Sequence, residues 1–160
     1  MAEPTMFLMC RAKEKDWKEK EGNTWVEGYY AKRVDENGAE HHVFLQEEGH
    51  SLWKQVEIDP KTICRNTGAK DSCGNPIWEK DILEIDLNEK TKGHGVICFG
   101  TYASPFDSAS TEHIGFYVSW RFPPKCEYLR RDLGYWLNEG AIAVSTVYDH
   151  KDMVIDPNRE

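Results

Sequence analysis

Short runs in which apolar and polar residues alternate dominate the chain, and this spacing of two is typical of half-buried β-strands. Ile82–Leu87 shows it clearly, with Leu83, Ile85 and Leu87 on one face. β-branched and aromatic residues fill most of the other runs, and turn residues separate them. The pattern predicts strands at Met6–Arg11, Thr24–Arg33, Glu40–Gln46, Leu52–Ile58, Ile82–Leu87, Gly95–Phe99, Ile114–Trp120 and Ala141–Tyr148.

Turn signals join several of these runs into hairpins. Asn37-Gly38 stands between the second and third predicted strands, and both residues accept the positive φ that a tight hairpin turn requires. The polar segment 88–93 predicts a second hairpin in the same way. The segment 100–112 is longer than most connections within a domain, so we expect it to be either mobile or functional.

Helical spacing occurs in one segment, Lys125–Glu139, where Leu129, Leu133 and Trp136 recur at every third or fourth position. A short helix is predicted there, although Gly134 weakens it by about 1 kcal/mol relative to alanine. The predicted fold is all-β, with antiparallel hairpins forming a barrel-like or sandwich body and one short helix. We expect a single domain over 1–160, in which 1–58 could form a hairpin subdomain beside a main β body at 59–150.

Composition and charge narrow the class of protein. The 160 residues are 39% hydrophobic and 12% aromatic, which is enough for a packed core. The formal net charge of −8 repels phosphates, and the densest basic run, Lys13–Lys20, also carries three acids. This argues against nucleic-acid binding. No apolar run approaches the length of a membrane span and no secretory signal is seen, so we expect a cytoplasmic protein.

The residues that often carry chemistry form no recognised catalytic pattern. The five cysteines, at 10, 64, 73, 98 and 126, include no C-x-x-C pair, which favours reduced, buried thiols. His41 and His42 point to opposite faces of a strand and cannot both bind one metal, although one of them with Cys64 or Cys73 stays an alternative. Phosphate-binding, dinucleotide-binding, serine-hydrolase and zinc-protease motifs are absent. We therefore predict no catalytic residue, metal or cofactor.

The centre of the chain, TGAKDSCGNPIWEKDI at 67–82, combines turn residues with carboxylates. Gly68 and Gly74 accept backbone angles closed to other residues, and Asp71 can accept hydrogen bonds from nearby N–H groups. This favours a structural corner between strands. Glu79 and Asp81 share one face of a strand and could instead form an acid–base or metal-binding pair, but no partner nucleophile or metal-ligand spacing accompanies them.

Residues 59–82 resemble the signature of the YopX family, small proteins encoded by phages and prophages. The family pattern reads D-P-x-T, then T-G-x-x-D-x-x-G-x-x-I-x-E-x-D-I, and other matching pieces cover nearly the whole chain. Lys80 replaces a family glycine and Ser145-Thr146 replace Gly-Asn, as in a divergent member. The resemblance implies a mainly β fold, a mobile-element origin and no established activity. The matching residues are Asp59, Pro60, Thr62, Thr67, Gly68, Asp71, Gly74, Ile77, Glu79, Asp81 and Ile82.

Aromatic residues suggest how such a protein could act. Six Trp, seven Tyr and six Phe are more than one small core easily hides, and exposed aromatics mark protein interfaces. We expect a non-enzymatic accessory protein that forms homo-oligomers, or binds a phage or host protein, through sheet edges and aromatics. The alternatives are ordinary core filling by these rings, and a metal-binding or nucleic-acid-associated protein. The candidate interface residues are Trp17, Trp25, Tyr29, Tyr30, Trp53 and Trp78.

Overall fold

The computed structural model describes residues 9–109, 111–126 and 128–154. Within these residues the chain is all-β, with antiparallel sheets and one short α-helix, which confirms the predicted fold class. Contacts divide the chain into two compact units, Met1–Asn66 and Thr67–Glu160, which we call the N-terminal and C-terminal units. No helix among the described residues has the length and apolar character needed to cross a bilayer.

The N-terminal unit is an antiparallel meander. Its strands lie in the order β4-β3-β2-β1-β5, so the chain adds neighbours one hairpin at a time and then returns to β1. Two 3₁₀ turns, Trp17–Glu19 and Pro60–Thr62, stand in the connections β1–β2 and β4–β5. The strands are β1 Cys10–Lys13, β2 Trp25–Val34, β3 Glu40–Glu47, β4 Trp53–Glu57 and β5 Cys64–Lys70, of which only residues 64–66 belong to this unit.

Backbone hydrogen bonds close this meander into a small barrel. Lys15 N donates to Glu57 O (3.1 Å) and Asp59 N donates to Lys13 O (2.9 Å), which joins the end of β1 to the end of β4. An isolated bridge between Glu14 and Ile58 lies between these bonds. The interior holds buried Cys10, Ala12, Phe44 and Ile58, with Val26 and Ile63 packed against them.

The β2–β3 hairpin is confirmed, although its turn differs from the predicted one. Within this turn only Gly38 has a positive φ, 81°, and hydrogen bonds to the side chain of Asp35 hold the other residues in place. Asp35 Oδ1 accepts from the N–H groups of Asn37 (2.9 Å) and Ala39 (3.0 Å). The turn therefore occupies five residues, 35–39, with glycine at its fourth position.

The C-terminal unit contains a four-stranded antiparallel sheet in the order β10-β7-β8-β9. Its first strand, β6, lies beside β5, whose residues 67–70 also belong to this unit, because the corner at 71–75 folds the chain back on itself. The elements are β6 Pro76–Trp78, β7 Asp81–Asn88, β8 Thr91–Tyr102, β9 His113–Phe122, α1 Leu133–Asn138 and β10 Ile142–Thr146.

One face of this sheet carries the second core. Gly95 lies opposite Trp120 across β8 and β9, and a Cβ added to Gly95 would meet Val118 Cγ1 and lie 2.9 Å from Trp120 Cε3. A glycine is needed here because the indole occupies the space of a side chain. The buried members of the core include Ile77, Leu83, Ile85, Ile97, Val118, Cys126, Leu129, Leu133 and Ala141.

The predicted helix at 125–139 is wrong in its first half, since α1 begins only at Leu133. The indole N–H groups of Trp120 (2.6 Å) and Trp136 (2.7 Å) both donate to the carbonyl of Arg130. An oxygen engaged by two indoles from another direction is poorly placed to accept a helical N–H from Gly134. Tertiary hydrogen bonds thus replace the first helical turns, and a Leu spacing alone cannot reveal them.

Other predicted strands shift by a few residues. The first begins at Cys10, and residues 6–8 of that prediction lie outside the described residues. β8 and β9 extend beyond their predicted ends, so their connection shrinks to 103–112. Asp107 fastens this connection, because its Oδ2 accepts from Ser104 N (2.8 Å) and contacts His113 Nε2 (3.1 Å).

Candidate functional site

An open groove of about 560 Å³ lies within the N-terminal unit. It has three walls: the β1–β2 connection at 15–19, the start of β3 at 39–42, and the end of β4 with the following 3₁₀ turn at 57–60. The barrel-closing bonds at Lys15 and Asp59 join the first wall to the third. We call this feature the acidic groove.

Trp17 and Asp59 position two walls against each other. Asp16 adopts the left-handed conformation (φ 59°), which turns the chain into the 3₁₀ turn that carries Trp17. The Trp17 indole N–H donates to Asp59 Oδ2 at 3.2 Å. The other oxygen of the same carboxylate caps the second 3₁₀ turn, because Asp59 Oδ1 accepts from Lys61 N at 3.0 Å.

The D-P-x-T segment is therefore a capped turn that forms part of the groove. Pro60 occupies the first turn position, where the missing N–H costs nothing. Thr62 is 2% exposed; its hydroxyl donates to Asp59 O (2.7 Å) and accepts from Lys13 N (2.8 Å). These bonds fasten the turn to β1.

A stack of cations and indoles supports the groove from beneath. Lys13 is only 3% exposed, and its Nζ lies 4.4 Å from the ring centroid of Trp25 and 5.2 Å from that of Trp17. Arg11 Cζ lies 4.4 Å from the Trp25 ring. Cations over indole faces gain electrostatic attraction from the ring quadrupole. The Trp25 ring therefore makes its main contacts with cations inside the N-terminal unit.

His41 joins the second wall of the groove to the third. Its Nε2 contacts Asp35 Oδ2 at 2.9 Å and its Nδ1 contacts Glu57 Oε1 at 2.7 Å. The hydrogen bond with Asp35, followed by that with Glu57, raises the pKa of His41 above its ordinary value. The same bonds lower the pKa of both carboxyls. An imidazolium that donates from both nitrogens joins the β2–β3 turn, β3 and β4.

Acidic side chains outnumber basic ones in the lining of the groove. Five carboxylates and two lysines line the groove, so its net charge stays negative even with His41 as an imidazolium. Asp16 and Glu19 make no side-chain hydrogen bond or ion pair with any residue that the structure describes. Their charges are available to a ligand. The full charged set is Asp16, Glu19, Glu40, Glu57, Asp59, Lys15 and Lys18.

The aromatic residues proposed for an interface fall into three groups. Tyr30 (45%) and Trp53 (53%) are exposed; Tyr30 stacks on His42 and Trp53 packs edge-on against Tyr29. Trp17 and Trp25 are half-buried around the groove and its supporting stack. Trp78 is 4% exposed, so its assignment to an interface is wrong: its ring is part of the interior and offers no surface.

The corner at 71–75 repeats the geometry of the 35–39 turn. Asp71 Oδ1 accepts from Cys73 N (3.0 Å) and Asn75 N (2.9 Å), and Gly74 has φ 82°. Asp71 is 6% exposed and its Oδ2 also accepts from Ala143 N at 3.2 Å. Burial opposes ionisation of Asp71, but the N–H groups of Asn75, Ala143 and Cys73 outweigh it and keep its pKa below the ordinary value.

The remaining residues of the 67–82 pattern also have internal positions. Thr67 donates from its hydroxyl to Ile77 O (2.7 Å), which ties β5 to β6. Asp81 is 3% exposed and accepts from Trp78 N at 2.9 Å, so it closes the β6–β7 turn. Glu79, by contrast, is half-exposed in that turn.

Metal-binding and thiol chemistry find little support in the described residues. No group of three or more His, Cys, Asp or Glu among them has an arrangement that could hold a metal ion. Cys10, Cys64 and Cys126 are buried, whereas Cys73 is exposed in the corner. Cys64 Sγ donates to Thr62 O at 3.2 Å.

Sequence reasoning missed how these residues come together. Trp17 and Asp59 were singled out for different reasons, and their pairing depends on barrel closure across 42 positions. The ties of His41 to Asp35 and Glu57 carry no local signal. Comparison with protein families, curated proteins and solved structures finds no match for this chain.

Proposed function

We propose that this chain is a non-enzymatic accessory protein that binds another protein through the acidic groove. The observation that carries the proposal is the pair of available carboxylates, Asp16 and Glu19, flanking the half-buried ring of Trp17 in a groove with net negative charge. Pro60 adds apolar surface on the opposite wall. The occupant that fits is an extended, basic, proline-containing segment of a partner protein.

The chemistry of such a segment matches the groove at each wall. Polyproline II segments lose little entropy on binding and dock against aromatic rings in small β-domains. Lysine or arginine side chains of the segment would meet the carboxylates of Asp16 and Glu19. A cation can also lie over the indole face of Trp17, as Lys18 does at 5.6 Å.

The biological context of the proposal rests on the YopX resemblance. We infer a phage- or prophage-encoded protein that acts in the cytoplasm of a bacterial host and binds a phage or host protein. The D-P-x-T match supports the resemblance because it forms a defined capped turn. Lys80 supports it as well, since it holds φ 66°, a conformation that favours the glycine of the family pattern.

A peptide-binding measurement tests the groove. The probe is a fluorescein-labelled peptide of alternating lysine and proline, followed by anisotropy at low salt. The variant Asp16→Asn/Glu19→Gln removes two charges while keeping shape, and we expect its affinity to fall about four- to twentyfold. The matched control, Glu47→Gln/Glu48→Gln, removes two exposed charges outside the groove lining and should bind nearly as the natural chain does.

A photo-crosslinking experiment tests the groove in cells. A photo-crosslinking amino acid at position 18, within the groove, should capture a partner in host cells that the same group at position 90 does not. The capture should disappear with the Asp16→Asn/Glu19→Gln variant. Equal affinity of both charge variants for the peptide would exclude the acidic groove as the binding site. Unchanged capture of the partner by the Asp16→Asn/Glu19→Gln variant would exclude it as well.

Self-association is a second candidate function, and the edge of β4 favours it. Trp53 and Leu52 are 53% and 65% exposed, and β4 is the outermost strand of its sheet. Its residues 53–55 have no neighbouring strand on the outer side among the described residues. Exposed edges pair readily with a second copy. Sedimentation of the natural chain and of Trp53→Lys should then show an oligomer only for the former.

A further inference from the structure

A second groove, of about 350 Å³, lies within the C-terminal unit and differs from the first in charge. Its floor is apolar and its rim carries three cations, Lys80, Arg121 and Lys151. We call it the cationic groove. The apolar lining consists of Val96, Cys98, Val147, Tyr148 and Val154.

Three different elements hold the cations around this floor. Lys80 lies in the β6–β7 turn, where its N–H donates to Ile97 O (2.9 Å) and its carbonyl accepts from Val147 N (3.0 Å). Arg121 lies near the end of β9, and Lys151 begins the 3₁₀ turn Lys151–Val154. The backbone of the Lys80 turn is thus fixed to β8 and to the segment after β10.

The positive charges in this groove have no internal partners among the residues that the structure describes. None of Lys80, Arg121 and Lys151 makes a side-chain hydrogen bond or ion pair with a residue in the described part of the chain. Glu79 is an acidic side chain close to the floor, since its charge acts on the Cys98 thiol together with the charges of Lys80 and Arg121. In a protein with a net charge of −8, three available cations around one apolar floor are a local exception.

Cys98 contributes a half-buried thiol to the floor. Burial raises the pKa of its thiol, and the opposing fields of Lys80 and Arg121 do not overcome this effect. A protonated thiol packs as a small apolar group, and it still reacts slowly with a maleimide through its minor thiolate fraction. The floor therefore provides contact surface, and the rim provides charge.

We propose that the cationic groove binds an acidic peptide segment in which carboxylates flank an apolar side chain. The apolar residue would lie on Val96 and Cys98, and the carboxylates would meet Arg121 and Lys151. A groove this open covers only part of a small molecule, whereas a peptide presented by a partner protein extends beyond it. A nucleic-acid backbone needs a longer row of cations, and the acidic charge of the remaining chain repels it.

A defined peptide tests the proposal. The probe is a fluorescein-labelled hexapeptide, Glu-Glu-Leu-Glu-Glu-Leu, and its control carries glutamine at every glutamate. We expect saturable binding of the first peptide that weakens about four- to twentyfold in R121Q/K151Q, because each exposed ion pair contributes a few-fold in affinity. Lys90→Gln removes an exposed lysine in the β7–β8 turn and should leave the affinity unchanged. Equal binding of both peptides, or equal losses in both variants, would overturn the proposal.

Cys98 offers a readout of location. In a Cys73→Ser background the only other described cysteines are the buried Cys10, Cys64 and Cys126, so a small maleimide reports on Cys98. Saturating peptide should slow this reaction at least threefold, and an unchanged rate would place the peptide elsewhere. Tighter binding of a single-stranded oligonucleotide of equal charge, or a changed oligomeric state of R121Q/K151Q without peptide, would assign the groove to phosphates or to a second copy and overturn the proposal.

Discussion

The two D-x-x-G turns provide a stringent test of how the centre of the chain uses its carboxylates. Asp35 and Asp71 make the same local bonds, each accepting from the N–H groups two and four residues later. Only Asp71 reaches a strand outside its own hairpin, through Ala143 N, and only Asp71 is buried. Asp35 instead pairs with His41 in the strand that follows its turn, at 2.9 Å. Replacing each aspartate by alanine therefore removes the same local bonds in both turns. Asp71→Ala also removes the buried bond from Ala143 N, and Asp35→Ala also removes the partly exposed pair with His41.

The expected magnitudes follow from these bonds. The local part resembles the loss of a helix cap, about 0.5–2 kcal/mol, and water can partly replace it at the half-exposed Asp35. The partly exposed pair of Asp35 with His41 adds about 0.2–1 kcal/mol. At Asp71 a buried N–H also loses a charged acceptor, which adds about 1.5–3 kcal/mol. We expect Asp35→Ala to cost about 1 kcal/mol of unfolding free energy and Asp71→Ala about 3 kcal/mol. Asp71→Asn should fall between them, because an amide can accept at one end only.

Urea unfolding with two probes can separate these effects. Trp120 and Trp136 pack against the core of the C-terminal unit, so their fluorescence follows the unfolding of the unit that contains Asp71. Hydrogen exchange at the amide of Ala143 should accelerate in Asp71→Ala and stay unchanged in Asp35→Ala. Equal costs for the two alanine variants, together with unchanged exchange at Ala143, would refute the view that Asp71 acts as an internal hydrogen-bond acceptor.

Three further predictions concern stability. Gly95→Ala should destabilise the chain by about 1–3 kcal/mol through overpacking. Gly134→Ala has no atom near the added methyl and should stabilise α1 by up to about 1 kcal/mol. Thermal melts should show a lower melting temperature for the first variant and a higher one for the second. Lys80→Gly should stabilise by roughly 0.5–1 kcal/mol, because relief of the left-handed strain exceeds the added chain entropy, and chemical denaturation would show any loss instead. NMR titration should place the pKa of His41 above 6.5, and Asp35→Asn should lower it. The stability that His41 contributes is present below its unfolded pKa and is lost as pH rises through the higher folded value; a pH-independent difference between the natural chain and His41→Gln would contradict this.

Local signals in the sequence were sufficient for most of the fold. Alternation predicted β7, and Asn37-Gly38 predicted the first hairpin, because both depend on residues near each other in the chain. The exact form of the turn was harder to predict, since the side chain of Asp35 makes the hydrogen bonds that determine it. The start of α1 was missed because two indoles occupy the carbonyl of Arg130.

The candidate site was much less predictable than the fold. The acidic groove assembles from three segments that lie up to 42 positions apart in the contact of Trp17 with Asp59, and this contact exists only after the barrel closes. The cationic groove was missed for the same reason: Lys80, Arg121 and Lys151 are isolated charges in the sequence. Trp78 illustrates the opposite error, because aromatic content alone cannot separate interior rings from exposed ones.

The bonds that close the N-terminal barrel bear on the thermodynamics of recognition. Lys15 N–Glu57 O and Asp59 N–Lys13 O hold two sides of the acidic groove in register before any partner arrives. A preorganised receptor spares the entropy of ordering its own loops, and an incoming segment then pays only for its own immobilisation. Association should consequently show a small heat-capacity change and few slow kinetic phases, in contrast to folding coupled to binding.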